Sequence, residues 1–115
     1  MNDHKIYEKW MRFALVEAIK AFDCGEVPIG CVIVKENRII GKGFNQVETL
    51  KDATAHAEMI AITSASGTND DWRLNNCFLF VTKEPCPMCA GAILNSRIKA
   101  IIYGTPDMEK GSCGS

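Results

Sequence analysis

The sequence predicts an α/β fold in which a mixed sheet lies between two layers of helices. Three observations indicate it: a long amphipathic helix comes first, a β-hairpin follows, and two short apolar strands then alternate with two further helices. Apolar strands without alternating polar residues are typical of a sheet that is covered on both faces. Such strands between helices favour a three-layer α/β/α arrangement, and 115 residues suffice for one domain over residues 1–115.

The first helix is expected over residues 4–24. Its apolar positions follow the helical period well enough to define one side, and we expect its aromatic side chains to pack in the core. Gly25 is suited to the C-terminal cap of this helix. The predicted apolar side consists of Ile6, Trp10, Phe13, Ala14, Ile19 and Phe22.

The stretch PIGCVIVKENRIIGKGFN, residues 28–45, predicts an antiparallel hairpin. Two β-rich runs flank the polar residues KEN, and Asn37 is well suited to a tight turn between them. Gly30, Gly41 and Gly43 lie within these runs. Glycines inside strands indicate a bulge or the close approach of another backbone.

The second half of the chain alternates helices with apolar strands. A polar loop is expected in QVETLKD, residues 46–52, and Asp52 or Thr54 is suited as the N-cap of the helix that follows. Pro87 stands near the first turn of the last helix, where its missing N–H costs nothing. The predicted elements are a helix over residues 53–66, a strand over 77–82, a helix over 86–97 and a strand over 98–104.

The composition is that of an ordinary globular chain, with 47% hydrophobic and 23% charged residues. A net charge of -1 shows no basic surplus of the kind that dedicated nucleic-acid binders carry, so any such role would need a local basic patch. No apolar run approaches the roughly 20 residues of a membrane span, and the start of the chain lacks the apolar region of a secretion signal. We therefore expect no membrane association and a cytoplasmic location.

Two of the six cysteines require an explanation beyond core packing. Cys31 and Cys77 lie in apolar runs, where a free cysteine acts as a small core residue. A disulfide framework is typical of secreted, loop-rich chains, so reduced thiols are favoured. The stretch TKEPCPMCAG holds Cys86 and Cys89 three residues apart, which suits a disulfide, a closed structural metal site or an open metal site for catalysis.

A metal site is favoured because two predicted helix starts supply ligands together. Cys86 and Cys89 fall in the first turn of one helix and face the same way. Helix N-termini also favour thiolate over thiol. His56, in the first turn of the other helix, offers a third ligand through nitrogen. A set of two Cys and one His suits zinc and leaves a fourth position for water.

Glu58 distinguishes a catalytic zinc from a structural one. It follows His56 by two positions, and a carboxylate beside zinc-bound water can take a proton and deliver it to a substrate. A closed structural site would need a fourth ligand, for which Cys77, Cys113 and His4 are the candidates. Cys77 is expected to point into the core and the other two lie near the chain ends, so the open site is favoured.

Several segments resemble, in order, those of one enzyme family: GEVPIGCVIV, GFN, TAHAE, RLNNCFLFVTKEPCPMCAGAILNSRI and GSCGS. The family is the cytidine-deaminase-like zinc hydrolases, and within it the bacterial tRNA-specific adenosine deaminases. The combination of H-x-E with P-C-x-x-C is a signature of zinc nucleobase deaminases. The resemblance covers nearly the whole chain and implies the fold of that family.

By this resemblance each chain binds one Zn²⁺ through His56, Cys86 and Cys89, and Glu58 moves protons. The resemblance also implies a set of substrate-binding residues. In this set Asn45 hydrogen-bonds the purine, Val27, Ile29 and the backbone of Ala57 and Pro85 shape the pocket, and Asp107 lies near the nucleotide at the rim.

The resemblance implies hydrolytic deamination of adenosine to inosine at the wobble position of the tRNA anticodon stem-loop, with water added at carbon 6 of a splayed-out adenine. It also implies a homodimer whose two subunits shape the RNA site. Two alternatives stay open: a deaminase of a free base or nucleoside (guanine, cytosine or cytidine), and a non-catalytic zinc module that binds RNA or a partner. The motif EPCPMC does not separate the deaminase groups, whereas GEVPIG, CAGAILNSRI and GSCGS favour the tRNA enzyme.

Three departures from the family pattern accompany the resemblance. The chain stops at GSCGS, where family members usually continue through a helix, a strand and a final basic helix, so these C-terminal elements are expected to be absent. Ala53 stands where the family often has proline, which loosens the loop before His56. Lys83 stands where an apolar residue is common.

Overall fold

The structure, a computed structural model, describes residues 3–105 and 111. The predicted order of elements is confirmed with one addition, because a short helix lies inside the segment that the sequence predicts to be a loop. Asp107 and Cys113 lie outside the described residues. The elements are α1 (Asp3–Asp23), β1 (Gly30–Lys35), β2 (Arg38–Phe44), α2 (Val47–Leu50), α3 (Ala57–Asn69), β3 (Cys77–Lys83), α4 (Pro87–Asn95) and β4 (Ala100–Thr105).

Within the described residues the strands form one four-stranded sheet in the order β2-β1-β3-β4. Strand β1 pairs antiparallel with both β2 and β3, whereas β3 and β4 run parallel, so the sheet is mixed as predicted. A parallel pair needs a crossover connection, and α4 supplies it. Because α4 starts soon after β3 ends, its first turn lies near the C-terminal end of that strand.

Helices cover both faces of the sheet, which confirms the predicted α/β/α layers. Alternate residues of the central strands point to opposite faces, where one set packs against α1 and the other against α3 and α4. No helix in the described part of the chain combines the length and apolar character needed to span a membrane. The first face contains Val32, Val34 and Phe80 with Trp10 and Ala14, and the second contains Ile33, Leu79 and Val81 with Ala61, Ala65 and Ile93.

Helix α1 faces the sheet mainly with small residues, which corrects part of the prediction. Trp10 and Ala14 are buried as expected, and Ala18 and Ala21 are buried beside them. Small side chains let a helix approach a sheet closely, and a close-packed interface leaves no room for larger ones. Three residues of the predicted core side are exposed instead, namely Phe13 (46%), Ile19 (58%) and Phe22 (68%).

The predicted hairpin is confirmed, and its turn has the expected chemistry. Glu36 and Asn37 connect β1 to β2 with φ values of 51° and 62°. Two successive residues with positive φ are characteristic of a type I′ turn, whose twist matches that of the paired strands. The register shifts between Ile33 and Val34, which indicates a bulge in the hairpin.

Two glycines of β2 let α3 lie directly on the strand. A Cβ atom at Gly41 would lie 2.6 Å from the carbonyl oxygen of Ala61, and one at Gly43 would lie 2.5 Å from that of Ala57. Both distances are too short for a real side chain, so glycine alone permits this approach. The close backbone approach predicted for these two glycines is therefore confirmed, and it places the first turn of α3 against the end of β2.

Helix α3 begins at Ala57 and its N-cap is His56, so the predicted N-cap at Asp52 or Thr54 is wrong. His56 has extended backbone angles, with φ -77° and ψ 154°, and its carbonyl oxygen accepts a hydrogen bond from the N–H of Ile60 at 3.1 Å. Asp52 stabilises a local turn instead, because its Oδ1 accepts the N–H and the hydroxyl of Thr54 at 2.8 and 2.7 Å.

Candidate metal centre

Two helix N-termini meet at the candidate site. His56 is the N-cap of α3, and Cys86 is the N-cap of α4, with φ -75° and ψ 171°. Pro87 occupies the start of α4, where its lack of an N–H does no harm. Cys89 follows in the first turn of the same helix. The free N–H groups of both helix starts place positive partial charge beside the two sulfur atoms.

The structure brings the three predicted metal ligands together. The Nδ1 atom of His56 lies 3.6 Å from Sγ of Cys86 and 3.5 Å from Sγ of Cys89. All three ligand atoms lie within 4.8 Å of one another. Cys89 is buried, whereas the other two residues are half-buried, so the cluster opens towards the surface on one side.

The distances fit a tetrahedral zinc ion. Bonds of about 2.3 Å to sulfur and about 2.0 Å to nitrogen, at a tetrahedral angle, would hold the nitrogen and each sulfur about 3.5 Å apart. Within the described residues the group contains three side chains and no fourth. His4 and Cys77, which the sequence offers as fourth ligands, do not belong to it, and Cys113 lies outside the described residues. The geometry therefore matches an open zinc site better than a closed one.

The electrostatics of Cys89 also fit a cation. Burial raises the pKa of its thiol well above the usual range, and the charges of Glu58 and Cys86 raise that pKa further. A thiol with so high a pKa stays protonated at neutral pH unless a positive charge stabilises the thiolate. A bound metal ion supplies that charge, because a coordinating thiol is deprotonated outright.

Glu58 lies in the first turn of α3, beside the metal-binding group. Only 4% of the residue is exposed, and burial raises the pKa of its carboxyl, while a hydrogen bond with the Cys89 side chain lowers that pKa to a smaller extent. A buried carboxyl next to a metal-binding group is placed to accept and donate protons there.

Asn45 connects the end of β2 to the start of α3. Its side chain is buried, and its Oδ1 accepts the backbone N–H of Ala57 at 2.8 Å. The backbone N–H of Asn45 donates to the carbonyl oxygen of Ile29 at 3.1 Å. With the side-chain oxygen engaged in this way, the Nδ2 amide is the group that Asn45 can offer to a ligand.

The other predicted pocket residues differ in their exposure. Val27 is 59% exposed and its carbonyl oxygen accepts the N–H of Ile29 at 2.8 Å, while Ile29 itself packs against the core. Ala57 is fully buried, and so is Pro85, the residue before Cys86. Ala57 and Pro85 adjoin the predicted ligands His56 and Cys86 in the chain, and Asn45 bonds both Ala57 and Ile29. Asp107 lies outside the described residues, and the purine-binding role of the whole set stays a prediction.

The sequence reasoning missed Glu26, which is buried and bonded to the short helix α2. An acidic residue two positions before Pro28 has no recognisable pattern. Its partners lie more than 20 residues further along the chain, at Glu48 and Thr49. The absence of a good capping residue before α2 is the one signal that could have prompted a search for a distant cap.

Comparison with known families shows to which group the chain belongs. The family described as the cytidine and deoxycytidylate deaminase zinc-binding region matches residues 4–105. The chain therefore belongs to the cytidine and deoxycytidylate deaminase family, as the sequence resemblance implies. Zinc is the cofactor that the family and the set of two Cys and one His together indicate.

Individual relatives are similar over almost the whole chain. A chloroplastic tRNA(adenine(34)) deaminase of Arabidopsis thaliana is 53% identical over 94% of this chain, which spans 8% of that protein's length. A tRNA-specific adenosine deaminase of Haemophilus influenzae is 50% identical, again over 94% of this chain, which spans 63% of the relative. The resemblance to tRNA-specific adenosine deaminases is thereby confirmed, although the chain is shorter than both relatives.

Solved structures with this fold include deaminases named for two different substrates. A structure from a study of A-to-I editing by tRNA:A34 deaminases is 42% identical with a TM-score of 0.91, and the match covers 94% of this chain and 83% of that one. A guanine deaminase from Bacillus subtilis is 40% identical with a TM-score of 0.84, covering 92% of this chain and 66% of the other. The chain is thus similar in fold and sequence both to a structure from work on tRNA:A34 deaminases and to a guanine deaminase.

Proposed function

We propose that the protein is a zinc-dependent hydrolase that converts adenosine to inosine at the wobble position of tRNA. The observation that carries this proposal is the convergence of His56, Cys86 and Cys89 within 4.8 Å, with the buried carboxyl of Glu58 beside Cys89. The similarity to proteins named tRNA-specific adenosine deaminases, at about half of all positions, supports the substrate.

In this proposal the Nδ1 atom of His56 and the sulfurs of Cys86 and Cys89 hold one zinc ion. When bound, zinc supplies a Lewis acid that lowers the pKa of water and so makes a nucleophile available at neutral pH. Two thiolate ligands neutralise much of the positive charge of the ion. The site therefore needs a protein base for the attacking water more than a site with three histidines would.

Glu58 serves as that base and later as an acid. Its carboxylate takes a proton from the water that attacks carbon 6 of adenine, and it delivers this proton to ring nitrogen 1. The same carboxyl then takes the remaining proton of the added hydroxyl at carbon 6 and gives it to the departing amino group. Adenosine and water thus become inosine and ammonia.

The remaining site residues hold the purine. Asn45 donates a hydrogen bond from Nδ2 to the base, and its Oδ1 stays on the N–H of Ala57. We assign Val27, Ile29 and the backbone of Ala57 and Pro85 to the shape of the pocket on the basis of the resemblance. We assign Asp107 to the rim on the basis of the resemblance. A base in an unpaired loop reaches such a pocket more easily than one in a duplex.

The biological partner in this proposal is the tRNA anticodon stem-loop, and the working unit is a homodimer in the cytoplasm. Exposed apolar side chains on the described surface support a second copy, since Leu94 in the last turn of α4 is 74% exposed. Light scattering of the purified chain tests this part separately. A monomer at micromolar concentration would contradict the dimer and leave the chemistry intact.

Deamination of a free base or nucleoside (guanine, cytosine or cytidine) is the second candidate, and the 40% identity to a guanine deaminase favours guanine among these. The two candidates share the zinc site and Glu58 as the proton carrier. They differ in whether the reacting nucleobase is part of an RNA. A test must therefore offer the chain both kinds of substrate.

A parallel assay of zinc content and products tests the proposal. The purified chain is expected to contain about one zinc ion and to form inosine in an anticodon hairpin that has adenosine at the wobble position. A hairpin with guanosine at that position serves as the control and should release no ammonia. Ammonia from free guanine, cytosine or cytidine, with no inosine in the hairpin, would contradict the tRNA substrate and favour the second candidate.

A further inference from the structure

We propose that Glu26 is a positioning residue of the candidate site. It holds residues 45–50 in place by capping α2 from a distant position in the chain. The inference rests on the proposed function, because these residues include Asn45 of the purine pocket. Glu26 is only 6% exposed, although a carboxylate usually lies in water unless it is paired. Its partners explain the burial and point to α2.

The carboxylate of Glu26 supplies the cap that α2 lacks. Its Oε1 accepts the N–H of Glu48 at 3.1 Å, and its Oε2 accepts the N–H and the hydroxyl of Thr49 at 2.7 and 2.6 Å. Gln46, the N-cap of α2 in the described chain, makes no side-chain capping bond of its own. A helix of four residues is unstable in isolation, so the bonds from Glu26 are a main reason that residues 47–50 are helical.

The capped segment is tied to the first turn of α3. The N–H of Gln46 donates to the carbonyl oxygen of Ala55 at 2.9 Å, and Oδ1 of Asn45 accepts the N–H of Ala57 at 2.8 Å. Ala55 and Ala57 flank His56. A displacement of α2 would therefore pull on both neighbours of a proposed zinc ligand and on the residue that is proposed to bind the purine.

Glu26 is anchored on its other side as well. Its N–H donates to the carbonyl oxygen of Ala21 at the end of α1, at 2.9 Å, after Gly25 has turned the chain with φ 76°. Val27 follows directly, and the carbonyl oxygen of Ile29 accepts the N–H of Asn45 at 3.1 Å. The carboxylate of Glu26 thus joins the two segments that contain the proposed purine-binding residues, and its backbone N–H fixes them to α1.

Loss of this cap should weaken substrate binding more than it slows the chemistry. Without the cap, residues 45–50 would become ordered only when RNA binds, and the free energy of that ordering is subtracted from binding. A hydrogen bond to a charged group is strong enough that its loss should raise KM by about tenfold. The kcat value and the zinc content should change little. Once RNA is bound, the same three side chains hold the zinc ion and Glu58 carries the protons as before.

Two substitutions of similar shape test the proposal in the full chain. In Glu26→Gln an NH₂ group meets the N–H of Thr49, and in Thr49→Val the hydroxyl is lost. We expect both variants to raise KM for the anticodon hairpin at a temperature where they are folded, with kcat and zinc content close to those of the unchanged protein. Thr49→Ser keeps the hydroxyl and should restore KM. Hydrogen exchange of residues 45–50 should become faster in the first two variants alone.

Asp71→Asn is the matched control. The Oδ1 atom of Asp71 accepts the N–H of Arg73 at 3.0 Å in the loop before β3, which lies at the opposite end of that strand from Cys86. This change should alter neither KM nor exchange at residues 45–50. A merely structural role for Glu26 predicts a lower melting temperature with unchanged KM, and that result overturns the proposal.

Failure of the proposed function has a different signature. If the unchanged chain makes no inosine, the substrate assignment is wrong, and hydrogen exchange alone decides about the cap. Faster exchange at residues 45–50 in Glu26→Gln, or in Thr49→Val if Glu26→Gln does not fold, then supports the positioning role. Unchanged exchange in the variant that folds overturns it.

Discussion

The Nδ1 atom of His56 lies 3.5 Å from the Sγ atom of Cys89, although 33 positions separate the two residues in the chain. The fold explains this contact, because α3 and α4 pack on the same face of the sheet and begin at the same end of it. Each helix start contributes an N-cap residue, and neither could complete a metal site alone.

Removal of one thiol should remove the metal. We expect Cys86→Ala to contain far less than one zinc per chain and to melt at the temperature of the chelated unchanged protein, since a ligand present at 100 times its Kd stabilises by about 2.7 kcal/mol. Elemental analysis and thermal melting measure both effects. Cys24→Ala removes an exposed thiol at the end of α1 and should match the unchanged protein. Full zinc content in Cys86→Ala would refute its role as a ligand.

Replacement of the buried carboxyl should separate metal binding from turnover. We expect Glu58→Gln and Glu58→Ala to keep zinc and to lose at least 100-fold in kcat, which is about the contribution of a positioned acid or base. Product formation in the anticodon hairpin and zinc analysis of the same preparation provide the test. If deamination persists at a normal rate, Glu58 is not the proton carrier.

Asn45 should show two separable functions. Asn45→Ala leaves the buried N–H of Ala57 without its side-chain acceptor and should cost about 1–3 kcal/mol in the free energy of unfolding. Asn45→Asp keeps an acceptor for that N–H but removes the Nδ2 donor. It should therefore unfold near the unchanged protein at neutral pH and still show a higher KM. Denaturant unfolding and steady-state kinetics distinguish the two, and an equal loss of stability in both variants would contradict this division.

The contact between β2 and α3 should not tolerate a methyl group. Gly41→Ala would place a Cβ atom 2.5 Å from the backbone nitrogen of Ala65, so the helix must move, and we expect a destabilisation of about 1–3 kcal/mol or more. The matched control is Gly67→Ala in the same helix, where a Cβ atom meets no described atom within 4 Å. That control should stabilise by about 0.4–1 kcal/mol. Effects of the same sign in chemical denaturation would argue against the packing.

The cap on α2 should contribute to the acid sensitivity of the fold. The pKa of Glu26 lies below its usual value of 4.5, chiefly because the hydroxyl of Thr49 donates to the carboxylate. A folded-state pKa below the unfolded one means that the stabilisation is present above pH 4.5 and is lost as the pH falls through the folded value. Melting temperatures measured from neutral to acidic pH should fall less steeply for Glu26→Gln than for the unchanged chain. Parallel curves would show that Glu26 is not stabilised as a carboxylate.

Most of the fold follows from local sequence patterns. Apolar runs mark β3, which is covered on both faces, and β4, which is only half-buried at the edge of the sheet. Asn37 marks the hairpin because a type I′ turn needs positive φ. The metal-binding group is predicted equally well from the sequence, since a spacing of three residues places Cys86 and Cys89 on one side of a helix start. These features depend on neighbours within a few residues, which is why the sequence alone reveals them.

The predictions from sequence are wrong where contacts between residues far apart in the chain determine the local structure. Helix α2 carries no local capping signal, because its cap comes from Glu26 across more than 20 residues. The outward position of Phe13 and Phe22 follows from the close approach of α1 to the sheet, which selects alanine for the inner side. His56 becomes the N-cap of α3 although Asp52 and Thr54 are the better capping residues by type, because these two bond each other in a separate turn.

The type I′ turn at Glu36 and Asn37 has a practical consequence. Both residues are exposed, and they lie at the end of the hairpin away from Asn45, across strands that are about 20 Å long. A fluorophore or an immobilisation tag inserted between them would leave the metal centre facing free solution. Tethered chains could then be titrated with RNA on a sensor surface without the support obstructing the pocket.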